Sequence, residues 1–121
     1  MNDFFDAGRR FLLDHLPKQR CLSENTILSY KQTLNLFVSY MRDWEGVATV
    51  ELTFSRIDRD AILGFLTWLE NVRKCSASTR NQRLMALRSF LEFAGQIDCT
   101  HTALYLSACN IPSKEAHGRI V

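Results

Sequence analysis

Five basic residues stand between positions 73 and 88 with no acid among them: Arg73, Lys74, Arg80, Arg83 and Arg88. They share the stretch with Ser76, Ser78, Thr79 and Asn81, and this combination suits an anion. The first N–H groups of a helix have no intrahelical partner and carry partial positive charge, so they attract phosphate. A helix opening at Ser76 or Ser78 places Thr79, Arg80, Asn81 and Arg83 in its first two turns. Arginine there can hold phosphate bidentately or read guanine, and asparagine can read adenine. A second helix start, Ser23 with Asn25, Thr26 and Ser29 and with Lys31 close by, offers small polar groups that position a protein on phosphates without reading bases. The plain alternative for both is a capped, solvated helix surface.

Other chemistries find less support. Cys99, His101, Cys109 and His117 match no zinc-ribbon or zinc-finger spacing, and Cys21 and Cys75 read as small core residues near helix starts. No metal is expected. Neither a Ser–His–Asp arrangement, a phosphate loop nor a glycine fingerprint occurs, so no cofactor and no catalytic residue is assigned. His15, near the end of an apolar helix, reads as a packing or capping residue.

The elements that position these residues follow from hydrophobic periodicity. Asn2 to Leu16 reads as a first helix carrying Phe4, Phe5, Phe11, Leu12 and Leu16 and ended by Pro17. Ser23 caps a second, with the stripe Ile27, Tyr30, Leu34, Phe37, Val38 and Met41; Glu24, Asn25, Ser29, Gln32, Asn35 and Ser39 fall on the opposite face. Gly46 closes it. An ordered loop then lays Val50, Leu52 and Ile57 on the core. Asp58 or Ser55 caps a third helix with the stripe Ile62, Phe65, Leu66, Leu69 and Val72 and with Arg73 and Lys74 in its last turn; Gly64 inside it permits a close contact. The fourth is the basic helix, whose core stripe is Leu84, Leu87, Phe90, Leu91 and Ala94 and which ends at Gly95 and Ile97–Asp98. A short fifth covers Thr102 to Cys109, and Pro112 cannot continue it.

These helices make an all-α fold, a compact bundle of four to five helices over residues 1–112, with 113–121 as a linker or tail. The chain has 121 residues, two Pro, five Gly and a net charge of +2, so the balance of charge alone names no partner. Four unpaired cysteines, no signal peptide and no membrane-length apolar run point to a reducing, cytoplasmic setting without a membrane partner.

Two segments carry a family resemblance. LSENTILSYKQTLNLF (Leu22–Phe37) and SASTRNQRLMALRSFLEFA (Ser76–Ala94) resemble, in order and separation, the paired motifs of the N-terminal core-binding domain of tyrosine recombinases, the phage-integrase and Xer-type enzymes. The resemblance implies a SAM-like helical bundle forming half of a clamp around duplex DNA, with the second and fourth helices facing the DNA. Thr26 and Tyr30 match the first motif; Thr79, Asn81, Arg83 and Arg88 match the second. Arg80 occupies a variable position and is included for its charge. Tyr30 is alternatively a core residue, and Arg88 alternatively the partner of an acid.

The resemblance also implies that the catalytic tyrosine and its helpers belong to a separate C-terminal domain, so this chain is expected to be no enzyme. Its expected partners are a double-stranded recombination site, the catalytic domain of the same parent, and neighbouring protomers reached through Phe4, Phe5 or the fifth helix. The DNA-binding set is thus Thr26, Ser29, Tyr30, Lys31, Thr79, Arg80, Asn81, Arg83 and Arg88, and Thr26, Thr79, Asn81 and Arg83 are expected on one connected surface. The rival reading is a helical protein-interaction module, since such bundles host unrelated functions.

Overall fold

A computed structural model of the chain describes residues 2–115. Five helices form a bundle with no strand among the described residues: α1 (Asp3–Arg10), α2 (Glu24–Asp43), α3 (Arg59–Asn71), α4 (Ala77–Ile97) and α5 (Thr102–Cys109). The fold is an all-α SAM-like bundle. No helix among these residues is long and apolar enough to cross a membrane.

Local chemistry sets each start. Asn2 caps α1 by accepting from Phe4 and Phe5, and Ser23, Asp58 and Ser76 cap α2, α3 and α4 with their side-chain oxygens. Pro17 does not end the first helix. The chain continues as π-helix over Phe11–Gln19 with Pro17 inside it. A proline ring collides with the carbonyl four residues back in an α-helix, and a wider turn relieves that collision.

The ends of the first three helical segments share one closing turn. Arg20, Glu45 and Arg73 each donate to the carbonyl five residues back (His15, Tyr40, Trp68), and Leu22, Val47 and Cys75 each donate six residues back (Leu16, Met41, Leu69). The residue between each pair of donors is left-handed: Cys21 at φ 52°, Gly46 at 74° and Lys74 at 59°. Only glycine adopts this conformation without steric cost. The turn puts Cys21 in solvent rather than in the core. It also places Arg73 and Lys74 beyond the end of α3, and Val72, its C-cap, is exposed rather than part of the stripe.

Aromatic side chains fill the centre. Phe90 of α4 lies 5.3 Å from Phe4, 5.5 Å from Phe11 and 5.8 Å from Phe54, measured between ring centroids. Such pairs add roughly 0.5–1.5 kcal/mol beyond area burial. Phe4 is therefore core, leaving Phe5 partly exposed on α1. The loop between α2 and α3 contains two 3₁₀ turns, Thr49–Glu51 and Phe54–Arg56. It buries Leu52 and Ile57 as expected, together with Val47 and Phe54, but Val50 is 86% exposed. The first turn points Val50 outward, and Leu52, two residues on, turns in. Tyr40 packs where Gly64 lacks a side chain and donates a short hydrogen bond to Glu45. The helix α4 runs past Gly95 to Ile97, and a 3₁₀ turn at Cys99–His101 leads into α5.

Candidate nucleic-acid interface

The two motif helices start alike. Ser23 Oγ accepts the Thr26 N–H at 3.3 Å and lies 3.0 Å from the Thr26 hydroxyl. Ser76 Oγ accepts the Thr79 N–H at 3.1 Å and pairs with the Thr79 hydroxyl at 3.2 Å. The Ser-x-x-Thr spacing puts each threonine where a helix has an orphan N–H, so both are held by their own caps.

Arg83 joins α4 to α2. Its Nη1 donates to the Ser29 carbonyl at 3.2 Å and to the Thr33 hydroxyl at 3.1 Å. Thr33 is fully buried, and its hydroxyl donates in turn to the Ser29 carbonyl at 3.1 Å. No carboxylate forms an ion pair with Arg83 among the described residues, and its Nε is enclosed without a hydrogen-bond partner. Thr79 precedes Arg83 by one turn on the same side of α4. Towards the other end of the seam, Asn25, Thr26, Ser29 and Tyr30 line a groove of about 330 Å³ with Gln82, Met85 and Ala86. The Tyr30 ring stacks on Phe11 with centroids 5.8 Å apart and planes 15° apart, so it belongs to the core edge and to the groove wall together. Thr26, Ser29, Tyr30, Thr79 and Arg83 are thus brought to the α2–α4 side.

The other expected residues are not. Lys31 lines a different groove with Leu12, Leu13, Ile27 and Leu28, on the side of α2 that meets the first helix. Arg80, only 5% exposed, donates to Asn81 Oδ1 at 3.0 Å and to the Pro112 carbonyl at 2.9 Å. Burial pulls its pKa below the ordinary arginine range; nearby Glu70 opposes that pull and Arg88 adds to it. Asn81 pairs with the backbone of Lys114 in both directions, donating to its carbonyl at 2.6 Å and accepting its N–H at 2.9 Å. Arg88 forms no ion pair with an acid among the described residues. It donates to the Ala108 carbonyl at 3.1 Å and to the Ile111 carbonyl, covering the open end of α5. Lys114 Nζ adds an ion pair with Glu70 at 2.8 Å. These residues strap the segment after α5 onto the bundle. The reason is angular: Arg80, Asn81 and Arg88 lie roughly 60–160° around α4 from Arg83, at 100° per residue. The expected single surface for Thr26, Thr79, Asn81 and Arg83 therefore excludes Asn81.

Two participants are not assigned to the site from the sequence. Thr33 stands among Tyr30, Leu34 and Phe37, and a hydroxyl inside an apolar stripe is the available cue to a buried polar partner. Arg73 counts in the basic cluster but reads as the end of the third helix, because its place beside Arg83 depends on the closing turn of α3.

Other candidate chemistry is dispersed. Burial and the Glu45 carboxylate push the Tyr40 hydroxyl well above the ordinary tyrosine range. Cys99 and Cys109 are exposed, and the His101 ring sits 4.2 Å from the Phe54 ring. Among the described residues no group of three or more His, Cys, Asp or Glu is placed to hold a metal. His117 and most of the expected tail lie outside the described residues.

Comparison with known proteins bears on the same elements. The family model for the phage integrase N-terminal SAM-like domain matches residues 10–96. A putative integrase/recombinase, y4rD, of Sinorhizobium fredii is 33% identical over 102 residues, covering 84% of this chain and 36% of the relative. The tyrosine recombinase XerD of Oceanobacillus iheyensis is 37% identical over 75 residues, 62% of this chain and 24% of the relative. The tyrosine recombinase XerC of Roseiflexus is 32% identical over 98 residues, 77% of this chain and 26% of the relative. The chain thus spans about a third or less of the curated relatives it matches. No solved structure matches significantly. With both motifs, the five-helix bundle and the family match over most of its length, the chain belongs to the phage-integrase N-terminal SAM-like domain family and corresponds to the N-terminal domain of a tyrosine recombinase.

Proposed function

We propose that this chain binds duplex DNA sequence-specifically, as the non-catalytic N-terminal clamp domain of a tyrosine recombinase. The observation that carries the reading is the α2–α4 seam: two identically capped helices from the two motifs meet through Arg83, with Thr26, Ser29, Tyr30 and Thr79 beside it. Phosphate contacts supply most of the affinity, so binding falls steeply with salt. In this reading Arg80, Asn81 and Arg88 leave the DNA face and serve the strap, and Lys31 lies off the face. Strand cleavage belongs to a catalytic domain of the same parent, which adds avidity through effective concentration. The buried Tyr40 hydroxyl, held protonated, does not suit a nucleophile. The setting is cytoplasmic, where the DNA is.

A mobility-shift titration with wild type and Arg83→Gln tests the reading. The expected result is salt-dependent binding that the variant weakens about tenfold while remaining folded by circular dichroism, at the level of one charge-assisted contact. Binding that ignores both salt and the substitution would refute it. A second reading, a protein-interaction module, is favoured by the groove of Leu12, Leu13, Ile27 and Leu28, where Leu13 is 61% exposed; that reading expects no duplex binding at all.

A further inference from the structure

The turn between α3 and α4 supplies a cation that neither motif contains. The Arg73 guanidinium carbon lies 5.7 Å from the centroid of the Trp68 ring. Trp68 is itself buried, against Tyr40 of α2 and Phe65 of its own helix, so its ring is a fixed platform. A planar guanidinium gains from such a platform both the attraction of the ring face and a preferred orientation. Arg73 and Arg83 line one groove of about 510 Å³ with Gln32, Asn35, Leu36 and Ser39 of α2.

The lining holds two guanidinium groups, two carboxamides, a hydroxyl and one leucine. It contains no carboxylate, and neither arginine forms an ion pair among the described residues. Arg83 is anchored from behind by Ser29 and Thr33, whereas Arg73 is exposed at the rim. One cation is thus pre-set by α2 and the other by Trp68, with neutral donors between them. This is the donor set for an anionic oxygen cluster: charge from two arginines, and hydrogen bonds from Asn, Gln and Ser that carry no opposing charge.

We propose that this groove is a second phosphodiester-binding site for duplex DNA, with Arg73 and Arg83 on the phosphate and Gln32, Asn35 and Ser39 as neutral donors beside it. It rests on the DNA-binding reading and extends it from the Thr26–Ser29 end of α2 to Ser39. Its lining on α2 runs from Gln32 to Ser39, about 10 Å of helix, so the site adjoins the Thr26–Ser29 end through Arg83 and lengthens the same face.

The test is fluorescence anisotropy on a labelled duplex of roughly 20 base pairs, between about 50 and 200 mM salt, with wild type, Arg73→Gln, Arg73→Lys and Arg10→Gln. Arg10 lines a separate groove beside Asp6 and Asp14 and serves as the control. Arg73→Gln is expected to weaken binding about five- to tenfold and to reduce the log–log salt slope by about 0.9, the loss of one phosphate contact. Arg73→Lys keeps the slope and loses part of the affinity, and Arg10→Gln changes neither. If wild type binds and Arg73→Gln behaves like the control, this site is refuted while the DNA-binding reading stands. If wild type does not bind duplex, both are refuted. Displacement of the duplex by inorganic phosphate at sub-millimolar concentration would make the groove a site for free anions and overturn the assignment to DNA.

Discussion

Replacing Arg80 separates the two roles that α4 performs. The side chain is 5% exposed and holds the Pro112 carbonyl at 2.9 Å and Asn81 Oδ1 at 3.0 Å. Arg80→Ala removes a charge-assisted bond to Pro112, worth about 1.5 kcal/mol or more. The bond to Asn81 matters less, because Asn81 Oδ1 keeps the Lys114 N–H at 2.9 Å. Loss of the buried aliphatic stem costs about 1 kcal/mol, and release of a charge from a desolvated site returns part of this. The net loss is about 2 kcal/mol, or roughly 8 °C of Tm at about 4 °C per kcal/mol for a domain of this size. Circular dichroism melting measures it, and hydrogen exchange at the Lys114 amide should accelerate, since the strap that protects it loosens. Duplex affinity, measured well below the variant's Tm, should stay within about twofold of wild type, less than half a kcal/mol. A variant with unchanged Tm and a tenfold or greater loss of DNA affinity would refute the strap and return Arg80 to the DNA face.

Two further substitutions probe the packing that positions the seam. Gly64→Ala puts a methyl group onto the Tyr40 hydroxyl, whose ring is confined between Phe37, Phe65 and Trp68. The overpacking cost of about 1–3 kcal/mol should exceed the roughly 1 kcal/mol gained in helix propensity, lowering the urea midpoint with an unchanged m-value. Cys21→Gly should raise stability by about 0.5–1 kcal/mol, because the left-handed φ of 52° costs a side chain and not a glycine. A lowered midpoint for Cys21→Gly would show that the closing turn after the first helix is not left-handed in solution.

The strap gives the second motif a double character. One helical turn carries Thr79 and Arg83 towards α2, while Arg80 and Asn81, between them in sequence, hold the chain that leaves the bundle after α5. The proposed DNA face and the path of the chain after α5 are therefore built from neighbouring residues of the same rigid element. A change at Thr79 or Arg83 that tilted α4 would move both.

What the sequence determined by itself was governed by short range: the helix cap at Ser23, the cap choices of Asp58 or Ser55 and of Ser76 or Ser78, from which the fold took Asp58 and Ser76, the apolar stripe Leu84–Leu87–Phe90–Leu91–Ala94, and the paired motifs that mark the family. Each depends on spacing along a single helix, which periodicity reports directly. Tertiary structure decided which side of α4 each polar residue serves. Periodicity separates apolar from polar positions, yet it cannot separate a polar residue facing DNA from one facing another part of the chain. The Pro112 and Lys114 backbone groups that take Arg80 and Asn81 lie more than thirty residues away, as do the Ser29 carbonyl and Thr33 hydroxyl that take Arg83, fifty or more. The same limit hid where Arg73, a member of the basic cluster, would stand. Its place beside Arg83 follows from a left-handed turn at Lys74, a residue that does not advertise that conformation, and from a tryptophan platform that exists only once α3 has packed against α2.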